Sequence, residues 1–191
     1  HEQGAAFAAC GYAQAGERCA CAYATSGPGA ANLISGIANA YFDSLPVIFL
    51  TGQLNTYEYS GIQGLRQQGF QEIDIVAMAK PVTKYAVQIR EDEDIVKELN
   101  KAYRIANSGR KGPVLIDLPM NIQRGDVKKP LYDISAAELG LEEHGSEADR
   151  ENDENSKLAA SAADAICRAL DEAKRPVIML GHGISDREVR E

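Results

Sequence analysis

Two short stretches bring together residue types that can do chemistry. Thr25-Ser26-Gly27-Pro28-Gly29-Ala30-Ala31-Asn32 follows an apolar run and opens a helical one. Gly27 and Gly29 allow backbone angles and close approaches that a side chain forbids, and Pro28 suits a first helical position. The unbonded N–H groups of that first turn face the space beyond the strand, where a polar or anionic group can dock. The second stretch, His1-Glu2-Gln3-Gly4-Ala5-Ala6, puts a carboxylate at the head of an alanine-rich helix one helix and one strand upstream. Each has a plainer meaning when read alone: many glycine turns after strands bind nothing, and a first-turn Glu commonly serves the helix dipole. The pair is much more specific than either member.

The elements that must position these residues are legible from periodicity. Ala5, Ala6, Ala9, Cys10, Tyr12 and Ala13 give residues 1–16 a small-residue helical face that suits close packing, so this helix is expected to be buried. Residues 19–24 form an apolar strand leading into the glycine turn, and Leu33, Ile34, Ile37, Ala38, Tyr41 and Phe42 stripe the helix that follows. Pro46 to Leu50 is a nearly continuous apolar run, as in a parallel strand covered on both faces, and Thr51-Gly52-Gln53 closes it. A long irregular loop over 54–69 precedes a short helix over 73–79, which Pro81 stops. A strand over 82–89, a helix capped by Asp92 or Asp94, and a strand over 113–118 complete the series. The order α, β, α, β, loop, α, β, α, β implies an α/β fold with a mostly parallel sheet and helices on both faces. Ligands of such folds bind beyond the C-terminal ends of strands, where Thr25 and Gln53 fall.

Composition bounds the function classes. The 191 residues are 45% apolar and 25% charged, and carry a net charge of −8, which argues against nucleic acid as a partner. Much of the excess acid lies between Glu138 and Glu154, within a polar stretch over 133–156 that reads as a solvated linker. A further amphipathic helix over 158–173 and a buried strand over 175–180 follow, ending in Gly181-His182-Gly183. Cys10, Cys19, Cys21 and Cys167 form no Cys-x-x-Cys pair and the three histidines do not cluster, so no metal site is expected. Free buried thiols point to a reducing cytoplasm, and no stretch is apolar enough to cross a membrane. The chain opens inside a helix, and preceding elements are expected.

The motifs resemble the thiamine diphosphate enzymes of the acetolactate synthase (acetohydroxyacid synthase) group. The resemblance is carried by His1 to Ala6, Ala24 to Ala30, Thr51-Gly52-Gln53, Gly69-Phe70-Gln71-Glu72, Lys80-Pro81-Val82-Thr83-Lys84 and Gly112 to Pro119. It implies a pyrimidine-binding domain over 1–131 that lacks its first elements, an acidic linker over 132–156, and the start of a central domain over 157–191. It further implies thiamine diphosphate as cofactor, with Mg2+ and the diphosphate held by a Gly-Asp-Gly…Asn motif that is nowhere in this sequence. The resemblance leaves open whether a central domain holds FAD. The implied reaction is decarboxylation of a 2-keto acid such as pyruvate and carboligation of the product to a second carbonyl compound.

By that resemblance Glu2 is the catalytic carboxylate, bonded to the pyrimidine nitrogen N1′ and driving the exocyclic amine to its imino form. Its apolar, small-residue setting is expected to raise its pKa. Pro28, Asn32 and Gln53 match cofactor-side positions, and Phe70, Gln71 and Lys84 match substrate-side positions. Departures occur at Phe7, where the group commonly has His, and in the loop from Tyr57 to Gln68. Since the cofactor bridges two subunits in this group, a homodimer or tetramer, or a separate chain carrying the diphosphate domain, is the implied partner. Other readings are a non-catalytic or split module for assembly, a related 2-keto acid decarboxylase, and a generic nucleotide-binding domain.

Overall fold

The computed structural model describes residues 1–16, 18–59, 62, 64–90, 95–126 and 147–179, with backbone alone for 147–156. Two compact units divide at Ile134/Ser135. The first contains α1 (Glu2–Gly16), β1 (Ala20–Ala24), α2 (Pro28–Phe42), β2 (Val47–Gln53), α3 (Ile75–Ala79), β3 (Tyr85–Gln88), α4 (Ile95–Asn107), β4 (Val114–Pro119) and α5 (Met120–Gln123). Single 3-10 turns lie at Thr56–Glu58 and Lys80–Val82. The proposed caps Asp92 and Asp94 fall outside the described residues.

The four strands form one parallel sheet in the order β1-β2-β4-β3. Strand alternation divides the core between its two faces. Val47, Phe49 and Leu115 pack with α1, α2 and α3, while Val114, Ile116 and Val87 pack with α4 and α5. The expected α/β fold with helices on both faces is therefore what this unit adopts.

Helices α1 and α2 meet through small residues. Ala6, Ala9, Cys10 and Ala13 are the buried positions of α1, at the i, i+3, i+4, i+7 spacing of one helical face. A Cβ on Gly36 would overlap that of Ala6, and the Cys10 thiol lies 3.5 Å from the Gly36 carbonyl oxygen. The other face of α1 is open, with Phe7 and Tyr12 exposed, so the helix is buried along one stripe only.

Strand β1 lies at the sheet edge, and its alternate residues Cys21 and Tyr23 are exposed. This corrects the expectation of buried thiols: Cys10 is buried, Cys19 half-buried, and Cys21 and Cys167 exposed. An edge strand presents one set of side chains that no helix among the described residues covers.

The second unit contains α6 (Glu147–Glu172). It begins inside the stretch expected to be a linker, because Glu and Arg are sound helix formers and acids favour a helix N-terminus. The strand expected after it is absent over the described residues 176–179: Val177, Ile178 and Met179 are 88%, 66% and 93% exposed. An apolar run becomes a buried strand only when a neighbouring strand and a covering layer are present.

Candidate functional site

Strand β1 ends at Ala24, and the chain reverses through Thr25 to Gly27 into α2. Gly27 has φ +62°, in the left-handed region, and is the N-cap residue, with Pro28 in the first turn. Both turn glycines answer to close neighbours. A Cβ on Gly27 would overlap the carbonyl oxygen of Gln71, and one on Gly29 would stand 2.7 Å from Thr25 Cγ2 and 3.5 Å from Glu2 Oε1. The turn is thus where the head of α1, the head of α2 and the loop after β2 converge.

Glu2 and Asn32 are brought together across the two helices. Asn32 Nδ2 donates to Glu2 Oε2 at 3.2 Å. The Glu2 carboxyl is held below the usual glutamate range, first by its own backbone N–H at the start of α1 and then by the Asn32 amide. The expectation of a raised pKa is corrected: the surrounding alanines are small, but they do not cover the carboxylate, so solvent and hydrogen-bond donors outweigh burial. Glu2 stands at the end of an open groove of about 770 Å³ between α1 and β1, walled by Ala5, Ala9, Ala20 and Ala22.

A second cavity, of about 430 Å³, lies at the C-terminal ends of β1, β2 and β4, lined by Tyr23 to Ser26, Leu50 to Gln53, Leu118, Met120 and Gln123. Gln53 reaches its wall but spends its side chain inward. Its Nε2 donates to the Ile73 carbonyl and to Asp117 Oδ2, both at 3.0 Å, and its Oε1 accepts from the Leu54 N–H at 3.0 Å.

Of the other positions singled out by sequence, Pro28 is exposed at the head of α2 and Phe70 is 83% exposed. Gln71 adopts φ +57°, which lays its carbonyl against Gly27. Lys84 does not join this group. It immediately precedes β3, at the N-terminal edge of the parallel sheet, whereas Thr25 and Gln53 lie at the C-terminal edge. Its Nζ donates to the carbonyls of Ile105 at 2.5 Å and Ser108 at 2.6 Å, closing the C-terminus of α4, and burial lowers its pKa.

Sequence reasoning named no site role for Asp117, Thr51 or Gln88. Thr51 and Gln88 are both in register with Asp117 on the neighbouring strands, and all three point to the same face of the sheet. Thr51 Oγ1 donates to Asp117 Oδ1 at 2.7 Å, and Gln88 Nε2 donates to Asp117 Oδ2 at 2.9 Å and to the Tyr59 hydroxyl at 3.0 Å. Asp117 is 1% exposed. The available signal was a lone charge inside the apolar run Val114-Leu115-Ile116-Asp117-Leu118, since a charge on a buried strand requires partners.

Comparison with known proteins bears on the N-terminal segment. Residues 1–78 match the family described as thiamine pyrophosphate enzyme, N-terminal TPP binding domain. This segment is a thiamine pyrophosphate enzyme N-terminal domain. Similarity extends well beyond it. The chain is 38% identical over 185 residues to an acetolactate synthase large subunit of Lactococcus lactis, covering 97% of this chain and 29% of that protein. It is 40% identical over 184 residues to a probable acetolactate synthase large subunit of Methanocaldococcus jannaschii, covering 96% of this chain and 29% of that protein. An acetolactate synthase of Arthrospira platensis is 42% identical over 127 residues, 66% of this chain and 21% of the relative. The chain thus spans under a third of the length of these relatives.

The described residues fit one part of thiamine diphosphate, its aminopyrimidine. Glu2 offers a carboxylate held by Asn32 and open to the groove between α1 and β1. Among the described residues no group of three or more His, Cys, Asp and Glu side chains is placed to hold a metal ion. None of the described helices is long and apolar enough to cross a membrane.

Proposed function

We propose that this chain supplies the pyrimidine half of the active site of an acetolactate synthase-like enzyme. The enzyme would decarboxylate a 2-keto acid such as pyruvate and join the two-carbon product to a second carbonyl compound. The observation that carries this reading is the Glu2 carboxylate, anchored by Asn32 beside Gly29 at the turn where two helices and the loop after β2 meet.

Thiamine diphosphate, when bound, supplies the carbanion chemistry, and the protein contributes orientation and proton control. With the cofactor bound, Glu2 would share a proton with the ring nitrogen N1′, donating it as the acid and accepting a hydrogen bond once N1′ is protonated, and Asn32 holds the carboxyl group in the orientation that this requires. In the free chain Glu2 is an ionised acceptor, because its pKa is lowered. Covering it with the aminopyrimidine would displace water from the carboxylate and raise that pKa toward the range in which a proton is shared. Pro28 and the backbone at Gln53 border the cofactor, while Phe70 and Gln71 face the substrate side. Lys84 has no part in this arrangement and serves α4 instead. Mg2+ and the diphosphate would be held by residues that this sequence does not contain, contributed by another subunit, which makes an assembly of at least two subunits the working unit.

Calorimetric titration of thiamine diphosphate with Mg2+ into the purified chain, and into Glu2→Gln, tests the reading. Binding that weakens in the variant supports it. Equal binding by both proteins removes Glu2 from the site and overturns it.

A further inference from the structure

Phe70 and Gln71 lie in the loop between β2 and α3. The loop's own bonds are local: Gln68 N–H to Glu72 Oε2 at 3.0 Å, and Glu72 N–H to the Gly69 carbonyl at 3.3 Å. The link from the sheet interior is the bond from Gln53 Nε2 to the Ile73 carbonyl. Gln53 can hold that orientation because the same Nε2 also meets Asp117 Oδ2, while Leu54 N–H occupies its oxygen. Asp117 in turn is fixed by Thr51 and by Gln88, whose amide also carries the bond to the Tyr59 hydroxyl in the preceding part of the loop.

We propose that Asp117 is a positioning residue: through Gln53 it holds Ile73, and through Gln88 it holds Tyr59, so that Gln71 rests against Gly27. Its relevance to substrate rests on the reading of this turn as a pyrimidine site. Three strands meet at Asp117 at one register level, so a single carboxylate links the sheet interior to both Tyr59 and Ile73. The geometry also specifies which replacement will serve. In Asp117→Asn the amide oxygen can take the bonds from Gln53 and Gln88, and the amide nitrogen can donate to the Thr51 hydroxyl, which accepts as readily as it donates. In Asp117→Ala the three donors lose their common acceptor.

Hydrogen exchange measured by mass spectrometry on the whole chain tests this, with α2 as internal reference. Peptides covering 69–74 should exchange about tenfold faster in Asp117→Ala, those covering 28–42 should change little, and Asp117→Asn should restore the loop. Unchanged loop exchange, acceleration spread equally over α2 and loop, or an Asn variant as loose as the Ala variant would each overturn the proposal. Should Asp117→Ala fail to fold, Gln53→Met decides. That variant cuts the link to Ile73 and leaves Asp117 bonded to Thr51 and Gln88, so a selectively faster loop supports the proposal and an unchanged loop refutes it. Titration of thiamine diphosphate into the wild-type chain separates the two ideas. A loop that loosens in a chain that does not bind the cofactor upholds the role of Asp117 and removes support from the site reading alone.

Discussion

Replacing Gly36 by alanine adds one methyl group at the place where α1 and α2 approach most closely. The added Cβ would overlap that of Ala6 and lie 3.3 Å from its Cα and carbonyl carbon, both shorter than ordinary van der Waals contacts. Two effects oppose each other. Alanine is the better helix former by about 1 kcal/mol, and overpacking a close contact costs about 1–3 kcal/mol. The net expectation is destabilisation of about 0–2 kcal/mol. Gly11→Ala provides the control, since Gly11 lies on the open side of α1 and a Cβ there would meet nothing within 4 Å. It should stabilise by up to about 1 kcal/mol, so the two identical chemical changes should differ by about 1–3 kcal/mol. Urea unfolding followed by far-ultraviolet circular dichroism resolves this, with the midpoint of Gly36→Ala below that of Gly11→Ala by roughly 0.5–2 M. Ala6→Gly combined with Gly36→Ala should recover part of the loss, because it removes one of the overlapping methyl groups and leaves the backbone contacts. Equal stabilisation by the two alanine variants would refute the close helix crossing, and with it the packing that sets Glu2 beside Asn32.

Three further outcomes follow from the same geometry. The Glu2 carboxyl, followed by carbon-detected NMR, should titrate below 4.5 in the free chain and move upward in Asn32→Ala; its contribution to stability is present above 4.5 and is lost as pH falls through the depressed value. Burial raises the pKa of Asp117 from 3.8, against the pull of Thr51, Gln88 and Gln53. The folded state therefore binds its proton more tightly than the unfolded state, and stability declines as pH rises from 3.8 through the raised value. That decline should be flattened in Asp117→Asn when urea midpoints are compared across pH. Lys84→Met should lower stability by about 1–2 kcal/mol through the lost closure of α4, and should leave thiamine diphosphate binding by the chain unchanged in calorimetry.

Period-two and period-3.6 patterns in the sequence specified the parallel α/β sheet, the turn at Gly27 and the residues at strand ends, because local sterics and burial act on neighbouring residues. The pairing of Glu2 with Asn32 followed from the resemblance only as two separate site positions. The lowered pKa of Glu2 did not follow, since whether alanines surround a carboxylate or merely flank it depends on where α2 lies. The resemblance likewise put Lys84 among the substrate-side positions, yet strand direction carries it to the opposite edge of the sheet from Gln53. The apolar run at 176–179 shows the same limit in reverse, with strand-like residues that meet no pairing partner among the described residues. Asp117 makes the division plain. Its charge within a buried strand required partners somewhere, but only the register of β2, β3 and β4 brought Thr51, Gln53 and Gln88 to it.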